Sequence, residues 1–373
     1  MSNAKTKTKK KFFGKTFWTI VFILLNVAVI AYTAFSEFGN TENASKLSEI
    51  KINWLLLIPA FACFIIAIIL EIYKYVLMMK KTCNKPNWKV ARRTVLIGRY
   101  YDNITPAAIG GQPFQIYYMH KNGNIPEGFS TTIPLIGMIS GQIGFLIIAI
   151  IAFLFGSVTI NDATLMVAAC FGLIFYAFWP ISILVATFLP KTTAEIINLG
   201  VKFLTKIHII KNREEAEQKA EQKVQEYAKC VKTILKTRGL FLKTIILSII
   251  FHILIYSIPF IVLTAFGGQV EFLPCFVMTL AATAAVYFVP TPGNAGAAEG
   301  AFFSVFSALS SGYVFWAMLI WRFFTYYIYI IAGGITYLFM YFENKNNEHP
   351  LKTWGKKFKN FFKDLKPEVK PKA

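Results

Sequence analysis

Charged residues are scarce in this sequence. They make up 16% of its 373 residues, whereas a typical soluble domain contains about 25%. Hydrophobic residues make up 55%, the mean hydropathy is +0.52, and the chain contains 36 phenylalanines. These values exclude an ordinary soluble globular protein, and the aromatic content also excludes a disordered or fibrous chain. The composition therefore predicts a membrane protein.

Cysteine and histidine are also rare, with five and four residues. The cysteines include no CxxC spacing, and the histidines include no HExxH pair. Disulfide frameworks and zinc sites are recognised by such spacings. We therefore expect no disulfide framework, no bound metal and no cofactor.

Six apolar stretches are long enough to cross a bilayer, for which a helix needs about 20 apolar residues. They lie at residues 16–35, 54–79, 132–155, 165–188, 240–265 and 313–342. The first is too long for the h-region of a cleavable signal peptide, which has about 7–15 residues. The sequence thus predicts an all-α polytopic membrane protein whose transmembrane domain, 16–342, contains six full transmembrane helices.

The net charge of +20 lies mainly in the two tails and in segments that flank the apolar stretches. Residues 1–15, 190–239 and 343–373 are rich in lysine, whereas the loops 156–164 and 266–272 contain neither Lys nor Arg. By the positive-inside rule, the three basic segments face the cytoplasm as an N-tail, an amphipathic insert and an amphipathic C-tail. Because the lysines lie beside the spans and no nucleic-acid-binding fold is recognisable, nucleic acid is not an expected partner.

Two further apolar segments, about 94–118 and 273–311, contain Pro and Gly clusters and cannot be continuous helices. The order of the spans requires the first to enter and leave on the cytoplasmic side and the second on the outer side. Both segments contain Thr-Pro-x-x-x-Gly, from Thr105 to Gly110 and from Thr291 to Gly296. We therefore predict two re-entrant broken-helix segments in an inverted repeat, with breaks that meet near the bilayer midplane.

A helix break inside a membrane leaves backbone groups unpaired, which is tolerable only in a cavity lined by protein or water. The helix that restarts after each break would point free N–H groups and its positive dipole end at that cavity, as a site for an anion such as a lipid phosphate. Polar side chains and glycines at the breaks are candidate substrate-binding residues: Asn103, Thr105, Gly110, Gly111, Gln112, Gln115, Thr291, Gly293, Asn294 and Gly296.

Ionisable residues inside the membrane are costly and usually face a partner or a pathway. Four lie in or near the broken segments: Arg99, Asp102, Glu299 and Arg322. In one interpretation, Arg322 or Arg99 receives an anionic headgroup that Glu299 positions or neutralises. In the other, compatible with the first, ion pairs such as Glu299 with Arg322 hold the broken helices in place. Glu71 and Lys74 are expected near a helix end, where the lysine can reach the interface.

Three motifs stand at these positions: Asn103-x-Thr105-Pro106 with Gly110-Gly111, Pro290-x-Pro292-Gly293-x-x-Gly296-x-x-Glu299, and Trp321-Arg322. Together they resemble the lysylphosphatidylglycerol synthase transmembrane family, also called flippase-like membrane proteins. Part of that family has an acidic residue after the double glycine and an arginine three residues further on, where this sequence has Gln112 and Gln115. The resemblance covers about 15–342 and implies a multi-pass protein of the bacterial plasma membrane that handles phospholipids.

The resemblance favours a lipid flippase or scramblase that moves phosphatidylglycerol or its lysyl derivative. An alternative is an integral-membrane transferase that acts on phosphatidylglycerol or on a polyprenyl-phosphate lipid, with Asp102 or Glu299 as its acid or base. The basic tail after the last span is too short for a transferase domain, so we do not expect one. A third alternative is a membrane scaffold. The expected partners are membrane phospholipids, with a homodimer and a separate lipid-modifying enzyme as further candidates.

Overall fold

A computed structural model describes eight parts of the chain: residues 52–105, 110–156, 163–206, 213–237, 239–287, 289, 291–306 and 311–343. These parts are almost entirely helical and contain no strand. They form the α-helices α1 (Leu57–Cys83), α2 (Trp88–Ile104), α3 (Gly111–Gly123), α4 (Glu127–Gly156), α5 (Ala163–Phe188), α6 (Pro190–Lys206), α7 (Arg213–Lys236), α8 (Leu240–Ala265), α9 (Phe272–Val286), α10 (Ala297–Phe306), α11 (Ser311–Arg322) and α12 (Ile328–Glu343).

Five of the predicted spans are present as helices with the length and composition needed to cross a membrane. They are Trp54–Cys83, Glu127–Gly156, Ala163–Phe188, Leu240–Ala265 and Val314–Met340, the last of which combines α11 and α12 through a π-helical turn at Phe323–Tyr327. Large apolar side chains such as Leu154 and Phe155 are exposed on these helices, as expected of surfaces that contact lipid. The predicted span 16–35 and both tails lie outside the described residues.

The two segments with Pro and Gly clusters are interrupted helices, as the sequence predicts. In the first, α2 ends at Ile104, and α3 begins at Gly111. In the second, α9 ends at Val286, a 3₁₀ turn covers Pro292–Asn294, and α10 begins at Ala297. Proline accounts for both interruptions, because it lacks the N–H that a continuing helix needs.

Helix α8 lies at the centre of the bundle. It packs against α1, α4, α9 and α11, and its buried residues Ile258 and Val262 join a cluster with Phe64 and Met318. Helix α2 packs against α3 and α12, and it also contacts the 3₁₀ turn at Pro292–Asn294. The two breaks, which lie far apart in sequence, are therefore neighbours in the fold.

Helix α7 is amphipathic, as its sequence predicts. Its apolar face includes Val224, Val231 and Ile234, which are buried. The helix packs against α6 and against the ends of α4 and α5. Its apolar face is thus covered by protein, a partner that the amphipathic pattern by itself does not distinguish from the membrane surface.

Candidate functional site

A cavity of about 290 Å³ lies where the two helix breaks meet. Arg99, Asp102 and Asn103 reach it from the end of α2, and Gly293 and Asn294 reach it from the second break. The rest of its wall comes from α5, α8, α9, α10, α11, the π-helical turn and α12. The prediction of a cavity at the breaks is confirmed.

The first break is held by side chains of α2 itself. Asp102 Oδ1 accepts a hydrogen bond of 2.9 Å from the backbone N–H of Gly111, the first residue of α3. Thr105 Oγ1 donates to the Tyr101 carbonyl at 2.7 Å and accepts from the Gly110 N–H at 3.0 Å. Together these bonds satisfy backbone groups that the break would otherwise leave unpaired.

The second break uses the same kinds of residue. Glu299 Oε2 accepts from the Gly296 N–H at 2.7 Å, and Thr291 Oγ1 donates to the Ala295 carbonyl at 3.0 Å. The backbone is left-handed at Gly293, Asn294 and Gly296, with φ of 60°, 54° and 86°. Glycine is required at Gly293 for a second reason, because an added Cβ would overlap the ring of Tyr326.

Glu299 is also paired with Arg322. The distance from Arg322 Nε to Glu299 Oε1 is 2.6 Å, and the two side chains are only 6% and 5% exposed. The remaining guanidinium nitrogens of Arg322 donate to the carbonyls of Gly293 at 3.3 Å and Asn294 at 3.5 Å. The ion pair expected from the sequence is therefore present, and it fixes the backbone of the second break.

These contacts correct one expectation about the restarting helices. The N–H groups of Gly111 and Gly296 are not free for a ligand, because Asp102 and Glu299 already accept their hydrogen bonds. A carboxylate at a helix N-terminus is favourable, since it neutralises the positive end of the dipole. An anion in the cavity must consequently be bound by side chains rather than by these two backbone groups.

Arg99 differs from Arg322 in its surroundings. It forms no ion pair and no hydrogen bond with any residue in the described parts of the chain. Its guanidinium carbon lies 5.5 Å from the ring centroid of Phe251 and 5.9 Å from that of Tyr329. Such cation–π contacts leave the five N–H donors of an arginine available, so Arg99 faces the cavity as a cation with unused donors.

Three further polar atoms beside the cavity are buried without a hydrogen-bond partner among the described residues. They are Asn103 Nδ2, Trp321 Nε1 and His252 Nδ1. The first two are donors, and each unsatisfied buried donor costs roughly 1–3 kcal/mol. Residues with such donors line the cavity together with Arg99, which has no ion-pair partner in the described part of the chain, and this composition is suited to binding an anion.

Not every predicted site residue reaches the cavity. Arg99, Asp102, Asn103, Gly293, Asn294 and Arg322 line it. Glu299 lies behind Arg322, and the others build the breaks or lie outside them: Thr105, Gly110, Gly111, Gln112, Gln115, Thr291 and Gly296. Gln115 accepts from the Tyr75 hydroxyl at 3.2 Å and donates to the Thr94 carbonyl at 3.4 Å, so it joins α3 to α1 and α2.

Lys74 does not reach toward the interface as the sequence suggested. Its side chain is 1% exposed, and Nζ lies 2.8 Å from Glu71 Oε2. It also donates to the Gly137 carbonyl and to Ser248 Oγ, both at 3.1 Å. Lys74 therefore joins α1 to α4 and α8, a role that depends on which helices surround it.

His252 and Tyr176 also line the cavity, and neither is among the site residues predicted from the sequence. His252 could have been noticed, because it is an ionisable residue in the middle of the apolar stretch 240–265. Tyr176 carries no such signal, since tyrosine is common in apolar helices of this chain. Among the described residues, no group of three or more His, Cys, Asp or Glu is placed to hold a metal ion.

Comparison with known proteins agrees with the motifs. Residues 17–333 match the family model described as the lysylphosphatidylglycerol synthase TM region. No curated protein and no solved structure matches the chain. The match and the five apolar helices together indicate a multi-pass membrane protein. Since the family model covers most of its length, the chain belongs to the lysylphosphatidylglycerol synthase transmembrane region family.

Proposed function

We propose that the cavity binds the phosphate of an anionic or aminoacylated phospholipid and that the protein moves such lipids across the bilayer as a flippase or scramblase. The observation that carries this proposal is the position of Arg99. It is an intramembrane cation, it faces the cavity, and no described carboxylate lies within ion-pair distance of it. An intramembrane arginine usually has an anionic partner, and here a ligand would supply one.

The other charges at the breaks already have partners. Arg322 is neutralised by Glu299, and Asp102 accepts from the N-terminus of α3. Binding an anion at Arg99 would therefore not break an existing ion pair. Asn103 and Trp321 line the cavity, and each has a buried N–H donor without a partner among the described residues, so both side chains would donate hydrogen bonds to the same anion when it binds.

The size and lining of the cavity favour a lipid headgroup over a whole lipid. Its volume of about 290 Å³ is at the lower end of ligand pockets, which span roughly 300–1,000 Å³. Ile255, Phe302 and Phe306 form an apolar part of the wall. The headgroup would enter the cavity, and the acyl chains would stay in the bilayer.

The substrate we propose is phosphatidylglycerol or its lysyl derivative, in the bacterial plasma membrane. The family description supports this choice. The α2–α3 and α9–α10 segments would be re-entrant and related as an inverted repeat, in a protein with a sixth span at 16–35 and cytoplasmic termini. The shared Thr-Pro-x-x-x-Gly motif and the carboxylate that caps each restarting helix support this arrangement.

Transport is better supported than a transferase reaction. Asp102 and Glu299 are the acid or base candidates for such a reaction, and each already holds the N–H of a restarting helix. Both carboxylates are thus engaged in holding a helix break together.

The test is a flipping assay in liposomes that contain fluorescent phosphatidylglycerol or lysyl-phosphatidylglycerol in the inner leaflet. We expect the wild-type protein to accelerate the appearance of the label at the outer leaflet. Arg99→Gln should reduce the rate at least about tenfold, because the charge that receives the phosphate is lost. Arg92→Gln is the matched control, since Arg92 lies on the same helix and is exposed.

Two results would contradict the proposal. One is a wild-type protein that does not accelerate either lipid. The other is an Arg99→Gln protein that is folded and as fast as Arg92→Gln. Phosphatidylcholine, which has no net charge, measures the contribution of unspecific bilayer disturbance.

A further inference from the structure

His252 lies in the middle of α8 and is bound through only one of its ring nitrogens. Nε2 lies 2.9 Å from the carbonyl oxygen of Gly141. Because a carbonyl only accepts hydrogen bonds, Nε2 carries the proton, and Nδ1 of the neutral ring is a lone-pair acceptor. The residue is 7% exposed, and Nδ1 has no partner among the described residues. The proposed function gives no role to this nitrogen.

The ring shares the cavity wall with Arg99. It stacks on Tyr256 with a ring-centroid distance of 5.5 Å and an angle of 5°. Phe145 and Phe251 contact it edge-on. These aromatic neighbours fix the plane of the ring, and the ring forms part of the wall of the space in which the anion of the proposed function would lie.

Positive charge lies near the ring while the cavity is empty. Arg99 has no ion-pair partner among the described residues, and the positive charge of Lys74 is offset by Glu71 at 2.8 Å. The charged groups that act on His252 are Glu71 and Lys74 of α1 and Arg99 of α2. The other titratable groups that stack on it or line the same cavity are Asp102 of α2, Tyr176 of α5, Tyr256 of α8 itself, Arg322 of α11 and Tyr329 of α12. An anion bound at Arg99 would offset the positive charge of the guanidinium and would favour a second positive charge, a proton on His252.

We infer that His252 Nδ1 takes up one proton when an anionic headgroup binds in the cavity, so that the lipid anion and a proton bind together. This inference depends on the proposed function. In the step, a proton from solvent forms an N–H bond at Nδ1, the imidazole becomes an imidazolium, and no bond in the lipid breaks. The phosphodiester stays a monoanion throughout, and the new N–H donates to one of its oxygens.

The sign of the pH dependence follows from linkage. If the bound anion favours protonation of His252, then protonation favours binding of the anion by the same factor. Affinity for the anion therefore rises as the pH falls through the range in which His252 titrates. Since one proton is taken up, the affinity changes by at most about tenfold per pH unit. Phosphatidylglycerol and the proton would cross the bilayer together with no net charge.

The experiment measures binding of short-chain phosphatidylglycerol to the full chain in detergent by calorimetry between pH 5.5 and 8. Titrations in two buffers of different ionisation enthalpy give the number of protons taken up. We expect the wild-type protein to take up close to one proton and to bind more tightly at pH 5.5 than at pH 8. Phosphatidylcholine should cause no uptake.

The variant His252→Gln tests the proton uptake without removing the hydrogen bond to Gly141. The glutamine amide can still donate to the Gly141 carbonyl, but it does not titrate. We expect this variant to bind phosphatidylglycerol with an affinity that no longer changes with pH and without proton uptake. His120→Gln is the matched control, since His120 is an exposed histidine at the end of α3 that also contacts a carbonyl, that of Ile125.

The outcomes are distinguishable. Binding without proton uptake by the wild-type protein would overturn this inference and leave the proposed function intact. The same holds if His252→Gln keeps the wild-type pH dependence. Absence of phosphatidylglycerol binding at every pH would overturn both. The wild-type proton count requires no variant, so it decides the question even if His252→Gln does not fold.

Discussion

Arg322 and Glu299 lie 23 residues apart in sequence, yet their side chains meet at 2.6 Å beside the second helix break. The pair does three things at once: it neutralises two buried charges, it caps the helix that restarts after the break, and it binds two carbonyls of the break itself. Arg99, at the first break, has no corresponding carboxylate partner among the described residues. At both breaks a carboxylate therefore caps the helix that restarts. The first break differs in having an arginine, Arg99, that is available to bind a ligand.

Glu299→Gln should destabilise the protein by about 3–5 kcal/mol, because it leaves the Arg322 charge buried without a partner. The loss can be measured by unfolding in mixed detergent. Combining Glu299→Gln with Arg322→Met should restore part of this stability, since neither charge then remains. The matched control is Glu217→Gln, which breaks an ion pair of the same 2.6 Å distance on an exposed part of α7 and should cost less than about 1 kcal/mol. Equal losses for the two single variants would contradict the role given to the buried pair.

Gly293→Ala should reduce both stability and lipid flipping. The added methyl group meets the ring of Tyr326, and the left-handed backbone with φ of 60° is unfavourable for alanine. Gly300→Ala is the control, because that glycine lies in α10 with open space around its Cα. It should be neutral or stabilising by roughly 0.5–1 kcal/mol, since alanine is the better helix former. A Gly293→Ala protein that melts like Gly300→Ala would show that the break tolerates a side chain.

Asp102→Ala should cost about 0.5–2 kcal/mol, the usual cost of removing a helix cap. Asp102→Asn keeps an oxygen that can accept from the Gly111 N–H, so it should lose less. Thermal melting of the two variants in the same detergent gives the comparison. If the asparagine variant is as unstable as the alanine variant, the negative charge rather than the hydrogen bond is what α3 requires.

Glu343 should make a small, pH-dependent contribution to stability. Hydrogen bonds from Arg93, which has the larger effect, and from Lys89 lower the pKa of Glu343 to about 2. The distance from Arg93 Nη2 to Glu343 Oε1 is 2.8 Å. Because the pKa of Glu343 is lowered in the folded protein, the ionised side chain contributes fully to the free energy of unfolding above the ordinary carboxyl pKa range. This contribution is lost as the pH falls through about 2. Because the side chain is 47% exposed, Glu343→Gln should cost less than about 1 kcal/mol at pH 7.

This prediction can be checked by melting wild-type and Glu343→Gln proteins side by side at pH 7 and at pH 3. The difference in melting temperature should shrink at the lower pH, because partial protonation of Glu343 removes the advantage of the wild type. A difference that is the same at both pH values would contradict an electrostatic origin. Glu217→Gln, in the exposed pair on α7, again serves as the control.

The positions of the long apolar helices and of the helix breaks could be predicted from local features of the chain. Apolar stretches such as 54–79 and 240–265 became spans, since a helix that satisfies its own backbone is required in lipid. The breaks could be placed because Pro and Gly act on the residues next to them. Even the pair of Glu299 with Arg322 was accessible as an expectation, because two opposite charges in an apolar environment favour each other.

The partners of the other ionisable groups could not be predicted from the sequence in the same way. Lys74 donates hydrogen bonds to Gly137 of α4 and Ser248 of α8. The sequence near Lys74 contains no feature that predicts these two helices as its neighbours. The N–H groups of Gly111 and Gly296 were expected to be free because helix termini usually lack partners, yet Asp102 and Glu299 occupy them.

The sequence by itself determined that this is a helical membrane protein, where five helices of membrane-spanning length lie, and where two helices break, because hydropathy and proline act over short distances along the chain. Only the tertiary structure decided which charges are paired. Arg322 meets Glu299, whereas Arg99 and His252 Nδ1 are left beside a common cavity. Whether a buried polar group has a partner depends on which helices pack around it, and the packing of α8 against α1 and α4 is a property of the whole fold.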